Sequence, residues 1–393
     1  MRRSRSTPVP ERTARWVDTT AGLRELVGEL ADETRLAIDT EFHRERTYYP
    51  VCALVQIGWS GGRALLDPLG LDLAPLGDVL TGRTIVMHAA GQDLEVFRHS
   101  VGVVPDDLFD TQIAASFLGM SSIGLAPLVH KLLDVDLPKA DRLTDWLVRP
   151  LPERAKAYAE SDVVHLFELH DRLSAELDSR GRMRWVRSET ESMVDRALTD
   201  SDPDTAWWKI KEARRLRGRA AAIAQEVAKW RERQAQESDK PLRSVLPDLA
   251  LAGIAQRPPK DQDALTKVRG LRDRGIPKSL RAELLEAVEA GTRLDLEAVH
   301  QPSVNPVPSE LRAAVPLLMS WVSQRAREIE LDPAVLATRT DLESFLRGDE
   351  DSRLATGWRA EALAEDIRSL LDGHASLAFE RGVGLVLRRD EVE

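Results

Sequence analysis

A single cysteine, Cys52, in 393 residues excludes an intramolecular disulfide framework and any cysteine-rich zinc site. No Gly-x-x-x-x-Gly-Lys-Ser/Thr loop occurs, which sets a helicase or other P-loop enzyme aside, and no Gly-x-Gly-x-x-Gly follows a strand pattern, which sets aside a dinucleotide-binding oxidoreductase. No apolar run approaches the roughly 20 residues that a membrane helix needs. The basic start Met1-Arg2-Arg3-Ser4-Arg5-Ser6 runs into Thr7-Pro8-Val9-Pro10, where a signal peptide would carry its apolar stretch. The expectation is a soluble cytoplasmic protein with no membrane partner. Heptads are lacking too, which favours a monomer.

Positive charge is also in short supply, with a formal net charge of −10. The deficit is uneven. Residues 1–200 carry 24 basic and 32 acidic side chains, residues 201–300 carry 20 and 16, and residues 301–393 carry 11 and 17. Only the middle segment is basic. Its excess sits mainly in 207–233, where Lys209, Lys211, Arg214, Arg215, Arg217 and Arg219 come first and Lys229, Arg231 and Arg233 follow. Such a run is either a solvated helix face or a surface that tracks phosphates. The adjacent Trp207 and Trp208 either stack on bases or anchor a helix in a core.

Residues 14–200 alternate strand-like and helix-like patterns. Strands are expected at Arg15-Trp16-Val17, 36–39, 53–59, 64–67 and 84–88, with a hairpin turn at Ser60-Gly61-Gly62. Helices are expected near 91–100, 110–118, 123–133 and 153–178. Mixed strands with flanking helices predict a three-layer α/β domain. After residue 200 the strand pattern largely stops and helical units take over. The run Gln301–Pro308 holds three prolines and reads as a linker.

Four carboxylates stand at the ends of these elements. Asp39 and Glu41 lie at i and i+2 on a strand, so both project from one face. Asp93 follows the 84–88 strand by a short turn. Tyr158 and Asp162 lie at i and i+4 on one helix face. Oxygen ligands alone suit Mg²⁺ or Mn²⁺ rather than zinc. Two such ions can clamp the attacking and leaving oxygens of a phosphodiester.

In this order the motifs resemble the ribonuclease D family of the DEDDy 3′–5′ exonuclease superfamily. Ile38-Asp39-Thr40-Glu41-Phe42 with Arg46-Thr47-Tyr48-Tyr49-Pro50 is similar to the first motif, and His88–Phe97 to the second. Asp110-Thr111-Gln112-Ile113 and Thr144–Leu151 resemble two further family segments, and Tyr158–Val163 the third motif, whose tyrosine marks the y subclass. Residues from Leu216 to Ile254-Ala255 resemble a helicase-and-ribonuclease-D C-terminal (HRDC) domain, and 310–375 a second, divergent one.

The resemblance implies a multidomain chain: a ribonuclease H-like α/β exonuclease domain with a mixed sheet, then two all-α HRDC bundles. The expected bounds are a disordered tail at 1–13, the exonuclease domain at 14–200, a first HRDC domain at 201–293, a linker at 294–308, a second HRDC-like domain at 309–375 and a tail at 376–393. It implies an exoribonuclease that releases nucleoside 5′-monophosphates from RNA with a free 3′ end, tRNA precursors among them. Asp39, Glu41, Asp93 and Asp162 would hold two divalent cations, and Tyr158 would orient the attacking water. His88 and Asp110 are secondary candidates, Asp110 reading better as a helix N-cap. The rival readings are a single-stranded DNA exonuclease and an RNA-binding protein with an accessory catalytic domain.

Overall fold

The computed structural model describes residues 13–138, 144–199, 202–271, 276–300 and 306–389. Among these, a six-stranded mixed sheet has the order β1-β4-β3-β2-β5-β6. Its strands are β1 (Arg15–Val17), β2 (Arg35–His43), β3 (Val51–Trp59), β4 (Gly62–Leu66), β5 (Thr84–Met87) and β6 (Asp107–Asp110). β3 and β4 pair antiparallel with Trp59 opposite Gly62, so the turn at residues 60–61 matches the hairpin expected there. β1 joins β4 in parallel, β2 joins β5 in parallel, and β5 joins β6 in parallel. The sequence pattern did not expose β6, which is only four residues long and runs straight into the Thr111–Ser116 helix.

Helices flank the sheet. Thr19 caps the Thr20–Leu30 helix by accepting from the Gly22 N–H at 3.1 Å. This helix buries Leu23, Leu26 and Leu30 on one stripe. The single helix expected at 153–178 breaks at His165 (φ −106°, ψ 3°) into Glu153–Val164 and Leu166–Ser179.

By its packing the chain falls into two compact units. One comprises the described residues of Met1–Glu41, Cys52–Leu198 and Asn305–Glu393. The other comprises Phe42–Val51 and those of Thr199–Val304. The sequence reading set residues 309–375 apart as a second helical domain. In the structure Trp321, Leu342 and Trp358 instead close on the same apolar core as Phe117, Leu128 and Leu173 of the sheet-flanking helices. Trp358 stacks on Trp185 with centroids 5.1 Å apart, and its indole N–H donates to Glu189 at 3.0 Å. An amphipathic helix carries the same stripe whichever core it joins, so the pattern could not choose. Most of the expected tail at 376–393 is strand. Ala375–Glu380 and Gly384–Arg389 form an antiparallel hairpin with Leu377 opposite Leu387. Its alternating apolar side chains pack on the core of the first unit. The expected 1–13 tail lies, but for its last residue, outside the described residues, as does 301–305 of the linker.

The second unit is built on the long Gly218–Ser238 helix, crossed by Lys278–Arg293. The crossing depends on Gly291, where a Cβ would stand 2.5 Å from the Ile223 Cα. Trp207 and Trp230 are fully buried in this core, so Trp207 is an anchor and not a base-stacking surface. Trp208 is half-buried and donates to the His300 carbonyl at 2.7 Å.

Candidate active site

β2 lies between β3 and β5, and its pleat sends Asp39 and Glu41 out of one face. The Glu153–Val164 helix brings Asp162 to the same place. Oxygens of Asp39, Glu41 and Asp162 all lie within 4.8 Å of one another. Asp93 starts the Asp93–Ser100 helix and is buried; it stands outside that set of three, and its carboxylate accepts from the Thr40 hydroxyl. Tyr158 stands one helical turn before Asp162, its hydroxyl close enough to the Asp162 carboxylate for each group to shift the other's pKa. The Trp146 ring sits 6.2 Å from the Tyr158 ring, tilted by 37°.

The segment carrying Trp146 is held by Arg149. Its guanidinium binds both oxygens of Asp67 and donates to the carbonyls of Trp146 at 2.7 Å and Ala53 at 2.6 Å. Sequence reasoning missed this anchor, because an Arg and an Asp 82 positions apart carry no local signal of pairing.

Asp110 is fully buried and accepts four backbone N–H groups. Two, from Gln112 and Ile113, cap its own helix at 2.8 and 3.1 Å. The other two, from Ala89 and Ala90 at 3.2 and 2.8 Å, hold the turn that leads into Asp93. Ala89 has φ 59°, a left-handed conformation that a residue with a Cβ adopts only under such restraint. Asp110 therefore shapes the approach to Asp93. His88 Nδ1 lies 2.9 Å from the Thr111 hydroxyl, which donates to the Met87 carbonyl. Burial holds the His88 imidazole below its ordinary pKa.

Burial is the largest influence on the carboxylates, and their mutual repulsion adds to it. Asp39 is pushed well above the ordinary range by burial and then by Asp93, Asp162 and Glu41. Glu41 rises to about 8 by burial and then by Asp162 and Asp93. Burial lifts Asp162 to about 7 and Asp93 to about 6. Acidic oxygens this crowded suit a hard divalent cation, which would replace the protons they otherwise retain. The sign for stability follows. These groups bind protons in the folded chain that an unfolded chain has released, so the metal-free fold loses stability as pH climbs from their ordinary range near 4 through about 6, 7 and 8. Melting in EDTA is expected at a lower temperature at pH 8 than at pH 5. Added Mn²⁺ should raise the pH 8 value more. Equal melting at both pH values, with no added effect of Mn²⁺, would contradict the site.

The basic candidates lie in the second unit, and the structure sorts them. Lys211, Arg214 and Arg215 are exposed on turns ahead of the Gly218–Ser238 helix. Arg217 donates to the Arg214 and Leu216 carbonyls, and Arg219 to those of Gly291 and Leu294. Lys209 is exposed. Further on, Arg231 is buried against Asp248 and Lys229 pairs with Asp204. The run thus reads neither as one helix face nor as one surface.

Residues 14–178 match the family model for a 3′–5′ exonuclease, and residues 220–288 match that for the HRDC domain. Ribonuclease D of Zymomonas mobilis is 35% identical over 378 residues, covering 93% of this chain and 96% of its own. Ribonuclease D of Gluconacetobacter diazotrophicus is 36% identical over 372 residues, covering 93% and 94%. The crystal structure of Escherichia coli RNase D, described as an exoribonuclease involved in structured RNA processing, superposes with a TM-score of 0.82 at 32% identity, over 92% of this chain and all of that one. The catalytic core of RRP6 from Trypanosoma brucei superposes with a TM-score of 0.54 at 25% identity, over 71% and 78%.

Proposed function

The chain belongs to the ribonuclease D family, and from that membership we propose how its metal-dependent 3′–5′ exoribonuclease activity is carried out and on which RNA. Asp39, Glu41, Asp93 and Asp162 hold two divalent cations, Mg²⁺ or Mn²⁺. The observation that carries this reading is the set of Asp39, Glu41 and Asp162 oxygens within 4.8 Å of one another. Held by these carboxylates, divalent cations would supply an acidified water as nucleophile and stabilisation of the departing 3′-oxygen.

The chain's own residues do the rest. Tyr158 stays protonated, because burial and then the Asp162, Glu41 and Asp39 charges hold its phenol above the ordinary range. It can therefore donate a hydrogen bond to the attacking water and cannot take its proton at neutral pH. Asp110 keeps the 89–90 turn, and so Asp93, in place. The product is a nucleoside 5′-monophosphate, released stepwise from the 3′ end. The substrates we propose are tRNA precursors with 3′ extensions, acted on by a monomer. No helix of the described residues is long and apolar enough to cross a membrane.

The test is digestion of a 3′-extended tRNA with Mn²⁺ or with EDTA, followed by product sizing. Single-nucleotide shortening with Mn²⁺ and none with EDTA is the expected outcome. Activity that survives chelation, or endonucleolytic fragments, would overturn the reading. The exposed turn with Lys211, Arg214 and Arg215 is proposed to track the RNA backbone. Neutralising all three should weaken RNA binding and flatten its salt dependence by up to about three charges' worth. An unchanged salt slope would leave that turn as solvated surface only.

A further inference from the structure

Gln56 lies in the middle of β3, fully buried, and among the described residues neither its amide nitrogen nor its amide oxygen has a hydrogen-bond partner. An interior strand position seldom tolerates this, since buried polar groups are nearly always paired. Its place in the sheet follows from the neighbouring strand. β2 and β3 are adjacent and joined by only the seven residues 44–50, too few for a parallel crossover, so they run antiparallel. A Cβ on Gly58 would sit 3.4 Å from the Ala37 Cβ, which sets Ala37 opposite Gly58. Two residues along each strand, Asp39 then stands opposite Gln56, with both side chains on one face of the sheet. The Glu153–Val164 helix covers that face: Leu54 clusters with Ala159, and Gly58 lies beneath the Val163 carbonyl.

The site is short of donors. Its groups are mostly carboxylates, which only accept when ionised. Asp93 accepts from the Thr40 hydroxyl, and the Tyr158 hydroxyl faces Asp162. Among the described residues neither Asp39 nor Glu41 accepts from a side-chain donor. Gln56 is an uncharged donor that adds nothing to the repulsion, and the strand register places it across from Asp39. We propose that Gln56 is a positioning residue for the cation site, its amide N–H donating to the Asp39 carboxylate in the cation-loaded chain. Metal-ligating carboxylates are commonly oriented by such a hydrogen bond. The inference rests on the reading of Asp39 as a cation ligand.

The experiment measures Mn²⁺ binding directly, by counting free Mn²⁺ with electron paramagnetic resonance. It uses the full chain and its Gln56→Met and Gln56→Leu variants, two apolar side chains of different shape. The Mn²⁺ dissociation constant is expected to rise roughly 10- to 100-fold in either variant. Melting in EDTA should stay at or above that of the parent, because two buried polar atoms without partners are removed. A merely structural role would give the reverse: lower melting in EDTA with an unchanged dissociation constant. A parent that binds Mn²⁺ and variants that bind it equally well would overturn this inference alone. A parent that binds no Mn²⁺ would overturn the cation reading and this inference with it.

Discussion

Replacing Asp39 with Asn is expected to lower the turnover of a 3′-extended tRNA by at least about a thousandfold. Cations at such sites contribute several kcal/mol to the stabilisation of the transition state, and each 1.36 kcal/mol is a factor of ten in rate. Asp39 belongs to the set of oxygens within 4.8 Å of one another, and Asp93, Asp162 and Glu41 all raise its pKa. Asn keeps the shape and removes the charge. This gives the prediction a second half with the opposite sign. Without cations the parent carries a crowded, partly protonated cluster whose burial costs stability at pH 8. The Asn variant is relieved of part of that repulsion and should melt in EDTA at or above the parent temperature. A loss of activity with retained or higher melting assigns the effect to the chemistry and not to unfolding. Single-turnover release of the 3′ nucleotide in Mn²⁺ and thermal melting in EDTA measure the two halves. A rate within tenfold of the parent would remove Asp39 from the reaction.

How much of this could be read before the fold was known depends on how local each signal is. Asp39 and Glu41 announce a shared face through the period-2 pleat, and Tyr158 and Asp162 through the i, i+4 spacing of a helix. Asp93 was marked by the short turn after a strand. What the spacing could not carry was the service these residues receive from afar. Asp110 reaches back across the sheet to Ala89 and Ala90, and the Thr40 hydroxyl reaches Asp93, 53 positions on. Gln56 sits in Ala53-Leu54-Val55-Gln56-Ile57, where it reads as one polar residue in an apolar strand; only the register with β2 sets it against Asp39.

The larger organisation was legible in the same partial way. The mixed sheet followed from alternating strand and helix patterns, but its order did not, since β1 and β4 are partners 49 positions apart in register. The basic run at 207–233 looked uniform in one dimension. Three dimensions divide it into exposed turn residues, carbonyl-capping arginines such as Arg219, and the buried Arg231. The 309–375 helices were set apart because a proline-rich stretch precedes them. Their apolar stripes are nonetheless spent on the first unit's core, through contacts such as Trp358 with Phe117, ring centroids 5.0 Å apart. A linker in the sequence separates segments of chain; whether it separates cores depends on which apolar faces remain to be covered.

Tyr158→Phe is expected to lower kcat roughly a hundredfold while KM and the Mn²⁺ dissociation constant change little. The phenol sits where two roles are open to it. As a donor to Asp162 it could steady a ligand; as a donor to the attacking water it would act on the reaction itself. The variant separates them. Phe preserves the ring and its packing beside Trp146, so the helix and Asp162 stay where they are. If the hydroxyl served only Asp162, its loss would weaken Mn²⁺ binding and excess Mn²⁺ would restore the rate. If it orients the water, the rate stays low at saturating Mn²⁺, with a loss in the range that a positioned proton donor contributes. The pH profile adds a constraint. Because the phenol is held above its ordinary range, it contributes no ionisation near neutrality. Whatever acid limb the profile has then belongs to other groups, and it should survive in the Phe variant with its midpoint unmoved. A Phe variant with unchanged kcat would end the water-orienting role. One rescued by Mn²⁺ would turn Tyr158 into a positioning residue for Asp162.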